Sequence, residues 1–171
     1  MRTAKNNIVL IGMMGTGKST VGSLLAAEAG LRLVDLDQMI VMETGRSIPE
    51  IFAEKGETFF RDTESRLLGQ VLADDEGIVL ATGGGVVLRE QNCRAMLKNG
   101  LVIALKASAD DIIARVGEDE NRPLLAGGAK ERVTALLEER KSAYDFAHHT
   151  VDTTGKTAEQ VALEILTRCR G

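Results

Sequence analysis

The sequence predicts an α/β protein, a parallel sheet covered by helices on both faces in a three-layer α/β/α arrangement, and three observations carry that expectation. Short β-branched or leucine-rich runs alternate with segments of helical period along the chain, as parallel strands joined by crossover helices require. The first apolar run, Ile8-Val9-Leu10-Ile11, passes directly into Gly12-Met13-Met14-Gly15-Thr16-Gly17-Lys18-Ser19. That octet fits G-x-x-x-x-G-K-[ST] at each specified position, in the strand-to-helix context a phosphate-binding loop needs. The length of 171 residues suffices for one core burying about 70% of the unfolded surface, and a second full domain is not expected.

Residues 8–11, 31–35, 78–81, 101–105 and 149–152 are the strand candidates, which makes the sheet five-stranded. Helical period first appears over 18–29, where Gly30 stands at the position after the helix that favours glycine. Ser47 is a cap candidate ahead of Pro49, which a first helical turn tolerates. A long helix is expected over 57–72, with Phe60, Leu67, Leu68 and Val71 on one face. Two more helices are expected, over 129–146 and 157–168. The polar, glycine-flanked stretch 116–128 breaks the rhythm and carries Arg122. A closing flap there suits phosphoryl transfer, which must keep water from the phosphate.

Composition narrows the function classes. The formal net charge is −4, with both signs spread through the chain, so no basic stripe follows a nucleic-acid backbone. No apolar stretch approaches the roughly 20 residues that cross a bilayer. Cys93 and Cys169 have no CxxC or Cys/His partner nearby and read as reduced thiols. With no cleavable apolar leader, a cytoplasmic protein is expected. One tyrosine, four phenylalanines and no tryptophan leave an aliphatic core with few base-stacking platforms. No long apolar surface helix asks for a partner, so a monomer is expected.

The chemistry begins at the phosphate loop, where Gly15, Thr16, Gly17, Lys18, Ser19 and Thr20 are the candidate nucleotide-binding residues. Consecutive backbone N–H groups and the positive end of the following helix make an anion-sized cradle. Lys18 is expected to reach the β and γ phosphates, and Ser19 to offer its hydroxyl to Mg²⁺, a hard cation that needs few protein ligands. Asp35 and Asp37 stand at the carboxyl end of the second strand candidate, the end where ligands of open parallel sheets bind. If the extended chain continues through both, their side chains share one side. Two carboxylates beside Mg·ATP can divide the work, one near the metal and one accepting a hydroxyl proton. Asp37 also reads as a helix cap before Gln38-Met39-Ile40.

Thr82-Gly83-Gly84-Gly85 follows the third strand candidate. Consecutive glycines there make sense where a substrate approaches the main chain. An anionic substrate beside ATP calls for fixed positive forks, which directs attention to Arg61, Arg115, Arg122 and Arg140. Glu64 stands at i+3 from Arg61 and is placed to orient its guanidinium, unless the two form only an exposed helix salt bridge.

Taken together, Gly12–Ser19, Asp35-Leu36-Asp37, Phe59-Phe60-Arg61 with Glu64, Gly83-Gly84-Gly85, Arg122-Pro123-Leu124-Leu125 and Arg140 ahead of Tyr144 closely resemble the shikimate kinase family, in order and spacing over nearly the whole chain. The resemblance implies the nucleoside monophosphate kinase-like fold with strand order 2-3-1-4-5, one domain over 1–171, a substrate-binding region at about 37–66 and a lid at about 115–128. It implies transfer of the γ-phosphoryl of Mg·ATP to the 3-hydroxyl of shikimate. Asp37, Arg61, Gly83, Gly84 and Arg140 would hold shikimate, Arg61 and Arg140 at its carboxylate and Asp37 as the candidate base. Asp35 and Ser19 would lie near Mg²⁺, Arg122 would meet the phosphates from the lid, and Arg115 would contact the nucleotide.

Two features depart from the family pattern. The family usually has proline between the arginine and tyrosine and Ala-Asp after the tyrosine, whereas Arg140-Lys141-Ser142-Ala143-Tyr144-Asp145-Phe146 stands here. A different helix ending is expected. Adenine contacts are expected from the weakly patterned stretch 152–156, and His148 and His149 read as structural. A kinase of another small acid, such as gluconate or aminoshikimate, would keep the loop and lid and change the Asp37, Arg61 and Arg140 set, although aminoshikimate retains the carboxylate. A guanine-specific switch would carry Asn-Lys-x-Asp, which this sequence lacks.

Overall fold

The computed structural model describes residues 6–116 and 129–170. Its elements run β1 (Ile8–Gly12), α1 (Lys18–Ala29), β2 (Arg32–Asp35), α2 (Leu36–Thr44), α3 (Ile48–Glu54), α4 (Gly56–Asp74), β3 (Ile78–Ala81), a 3-10 turn (Val86–Leu88), α5 (Glu90–Asn99), β4 (Leu101–Lys106), α6 (Ala109–Val116), α7 (Ala129–Glu139), β5 (His149–Asp152) and α8 (Ala158–Arg170). The flap 117–128 with Arg122 lies outside the described residues.

All pairings in the five-stranded sheet are parallel, in the order β2-β3-β1-β4-β5. Side chains alternate across it with period two. Val9, Ile11, Leu80 and Val102 pack with Leu68 and Leu72 of α4 and Met96 of α5. Ile8, Leu10, Val79 and Ile103 turn the other way and pack with Leu25 of α1 and Ile165 of α8. Burial on both faces explains why the central strands read as continuous apolar runs. The three-layer arrangement and the strand order agree with expectation.

Local chemistry accounts for most boundaries. Ser47 and Glu50 form a reciprocal capping box at the start of α3, with Glu50 N donating to Ser47 Oγ at 3.3 Å and Ser47 N to Glu50 Oε1 at 3.2 Å. The α4 face carrying Phe60, Leu67, Leu68 and Val71 is buried. Helix α5 forms the β3–β4 crossover and buries Asn92 and Met96, one turn apart on one face.

Two expectations need correction. Helix α7 stops at Glu139, not 146. From Arg140 onward the bonds run i to i+3, with Ala143 N donating to Arg140 O and Ala147 N to Tyr144 O. Asp145 N likewise donates to Ser142 O, and Tyr144 is held by a distant partner described below. Nor does extended chain continue through Asp37: β2 ends at Asp35, which caps α2 by accepting from Gln38 N at 3.2 Å. Asp37 therefore lies in the first helical turn and is not the cap.

Candidate active site

Parallel register brings the carboxyl ends of all five strands to one edge, with Asp35 opposite Ala81, Gly12 opposite Leu105 and Lys106 opposite Asp152. The phosphate loop leaves this edge at Gly12, whose φ of 145° and crowding against Leu105 O exclude a side chain. Gly17, with φ 87°, turns the chain into α1.

The loop folds around its own lysine. Lys18 is buried, and its Nζ donates to Gly12 O at 2.6 Å and Met13 O at 2.9 Å. Thr16 Oγ1 also donates to Met13 O, at 2.7 Å. Ser19 Oγ donates to Asp35 Oδ2 at 2.7 Å. A cavity of about 140 Å³ lies among Gly15, Gly17, Lys18, Ser19 and Thr20 on one side and Asp35, Asp37, Thr82 and Gly83 on the other. Both carboxylates thus face the phosphate loop, through a strand-to-helix junction instead of an extended run.

Beside the loop, a second cavity of about 310 Å³ is bounded by Thr16, Thr20, Arg115, Thr153 and Lys156, with Val161 among its apolar residues. Arg115 reaches back to the phosphate loop, Nη1 donating to Gly15 O at 2.9 Å. Thr153 Oγ1 donates to Lys106 O at 2.8 Å, tying the β5 end to β4. The expected base-contacting stretch therefore borders this space through Thr153 and Lys156.

On the acceptor side, the glycine triplet meets several charged side chains in succession. A Cβ at Gly83 would lie 2.9 Å from Asp37 Oδ1 and 3.3 Å from Glu64 Oε2; one at Gly84 would lie 3.5 Å from Arg140 Nη1. One at Gly85 would lie 2.5 Å from Arg61 Cζ. Asp37, Arg61 and Arg140, far apart in sequence, are gathered here. Arg61 and Arg140 are buried cations, and Arg61 Nε and Arg140 Nη1 have no hydrogen-bond partner among the described residues. Arg61 is already paired with Glu64 and has Glu57 Oε2 3.6 Å from its Nε, whereas the buried Arg140 Nη1 calls for an anionic partner.

Glu64 orients Arg61 from the core. Its carboxylate is fully buried and accepts from Arg61 Nη1 at 3.0 Å, so the pair is no surface salt bridge. Burial pushes the Glu64 carboxyl up, Arg61 pulls it back by charge and hydrogen bond, and the nearby Asp37 charge raises it further. Tyr144 Oη donates to Gly84 O at 2.7 Å, and burial raises the phenol against the attraction of Arg140.

Arg89 escaped the sequence reading. It donates to Asp62 Oδ1 at 2.8 Å and to Arg61 O and Ser65 Oγ at 3.3 Å, clamping the end of the glycine segment to α4. Partners more than twenty positions away leave no local signal. The Tyr144 hydrogen bond is likewise long-range, although the residue is the only tyrosine in the chain. His148 serves the sheet: its Nδ1 accepts from Val102 N at 2.9 Å, and burial lowers its pKa, in keeping with a structural role.

A family model described as shikimate kinase matches residues 14–170. A curated shikimate kinase of Persephonella marina is 44% identical over 164 residues, covering 96% of this chain and 99% of that one. One from Thermodesulfovibrio yellowstonii is 44% identical over 161 residues, 94% of this chain and 92% of that one. Among solved structures, shikimate kinase from Acinetobacter baumannii in complex with shikimate superposes with a TM-score of 0.93 at 35% identity, covering 97% of this chain and 93% of that one.

Proposed function

The chain belongs to the shikimate kinase family, and from that premise we propose how its residues transfer the γ-phosphoryl of ATP to the 3-hydroxyl of shikimate. One observation carries the assignment of roles: two buried arginines and Asp37 converge on a glycine triplet beside a phosphate loop. Arg61 and Arg140 hold the acceptor carboxylate, Asp37 takes its hydroxyls, and Gly83 and Gly84 let it approach the main chain. The triphosphate lies on Gly15, Thr16, Gly17, Lys18, Ser19 and Thr20, with the base in the cavity bordered by Arg115, Thr153 and Lys156.

In the transfer, the 3-hydroxyl oxygen forms a bond to Pγ while the bond from Pγ to the β–γ bridging oxygen breaks, and that oxygen leaves on ADP. Asp37 accepts the hydroxyl proton. Lys18 neutralises charge on the phosphates, which requires its ammonium to leave the loop carbonyls of Gly12 and Met13 that it now bonds. Placement and preset charge supply most of the catalysis, because the transferring group needs little covalent help. The adjacent Ser19 hydroxyl and Asp35 carboxylate are hard oxygen donors at the edge of the phosphate cavity, a small set that fits Mg²⁺ with its retained waters. When bound, that ion adds positive charge against the phosphate oxygens. Arg122, outside the described residues, is assigned to the lid at about 115–128.

The working unit we propose is a monomeric single domain over 1–171 in the cytoplasm, acting on a small molecule and using neither nucleic acid nor membrane. Among the described residues no helix is long and apolar enough to cross a membrane. A coupled assay of ADP formation across a panel of hydroxy acids tests the function. ADP formation that depends strictly on shikimate is expected; phosphate release without an acceptor, or preference for another acid, would reject the reading.

A further inference from the structure

Gly85 has no evident reason to be glycine in its backbone. Its φ of −95° and ψ of 5° are open to residues with side chains, unlike the angles at Gly12. The requirement is steric and comes from one neighbour. A Cβ there would lie 2.5 Å from Arg61 Cζ and closer still to both Nη atoms, whereas ordinary contact begins at 3.4 Å. All three nearest atoms to that point belong to the Arg61 guanidinium.

The guanidinium has little room to retreat. Glu64 accepts its Nη1 at 3.0 Å, Glu57 Oε2 lies 3.6 Å from its Nε, and the Phe60 ring centroid lies 5.2 Å from its Cζ. Only 10% of the Arg61 side chain is exposed. We propose that Gly85 is a positioning residue for the acceptor site: its missing side chain is the seat of the Arg61 guanidinium, and so it sets where the acceptor's carboxylate is gripped. The inference rests on the reading that Arg61 binds that carboxylate. It gives the third glycine a task different from the close substrate approach assigned to Gly83 and Gly84. A methyl group at 85 would drive the fork away by about 1 Å, a misplacement on the order of those that cost 10²-fold in rate.

The test is a double-mutant cycle on the full chain with G85A, R61A and G85A/R61A, measuring shikimate KM, ATP KM, kcat and thermal midpoint. G85A is expected to raise the shikimate KM at least about tenfold and to leave the ATP KM within about twofold. In the R61A background the same change is expected to raise the shikimate KM by no more than about twofold, because nothing remains to collide with. The thermal midpoint follows the same pattern, so a G85A chain that folds poorly still reports: adding G85A to R61A lowers the midpoint less than adding it to the wild type. An impaired R61A beside an unimpaired G85A would overturn the inference alone, as would equal G85A penalties in both backgrounds. A near-normal shikimate KM in R61A would overturn the carboxylate assignment and the inference with it.

Discussion

Replacing Arg61 by alanine removes one half of a buried ion pair and one grip on the substrate, and the two losses are separable. On the substrate side, hydrogen bonds to a charged group contribute about 1.5–3 kcal/mol, which predicts a fall in kcat/KM for shikimate of roughly 10- to 150-fold. On the stability side, the partner left behind is Glu64, at 0% exposure, so solvent gives it no relief. Breaking a buried pair by removing one member costs about 3–5 kcal/mol, or roughly 6–20 °C in midpoint at this chain length. Protonation of the orphaned carboxyl offsets part of that. In the wild type burial already holds the Glu64 carboxyl above its ordinary 4.5, with Arg61 opposing; the substitution removes the opposition. An acid whose folded pKa exceeds its unfolded one contributes stability below the unfolded value and loses it as pH rises through the folded value. The stability gap between R61A and wild type should therefore widen with pH, and melts at about pH 5.5 and about pH 8 measure it. Near-normal shikimate kinetics would refute the substrate argument. A gap independent of pH would refute the burial argument.

Asp35→Asn keeps an N-cap residue for α2 and an oxygen for Ser19, so its midpoint should stay within about 2 °C of wild type. The Mg²⁺ concentration for half-maximal activity should rise several-fold, and an unchanged magnesium titration would remove Asp35 from the metal side. Tyr144→Phe deletes the 2.7 Å bond to Gly84 O, a loss of about 1 kcal/mol and about 2–4 °C, with a raised shikimate KM. Burial pushes the phenol up, so this difference should hold constant through the neutral and mildly alkaline range; a midpoint equal to wild type would show the bond to be dispensable.

Readings that depended on local rules survived the fold. The capping box at Ser47 and Glu50, the α1 stop at Gly30 and the core face of α4 follow from neighbours within a few positions. Those that assumed one element would simply continue did not. Extended geometry stopped at Asp35 because its carboxylate satisfies Gln38 N and starts α2. Helix α7 ended at Glu139, and the turn that follows carries Tyr144 to Gly84. Arg61 and Glu64 were legible as a pair at helical spacing, but nothing in their spacing distinguishes a surface salt bridge from a buried one.

The sequence by itself determined the fold class, the phosphate loop and the roster of charged side chains, because strand and helix periods and the loop's glycine spacing are short-range properties. The tertiary structure decided which residues meet. Parallel register put five strand ends on one edge, and the glycine triplet there became the place where Asp37, Glu64, Arg61 and Arg140 come together. Burial then changed their meaning. Out of water, Glu64 carries a raised pKa and is paired with Arg61, since charge without solvent must find a partner. Which side chain occupies the room beside Gly85 is a fact of packing between segments distant in the chain, and no local pattern encodes it.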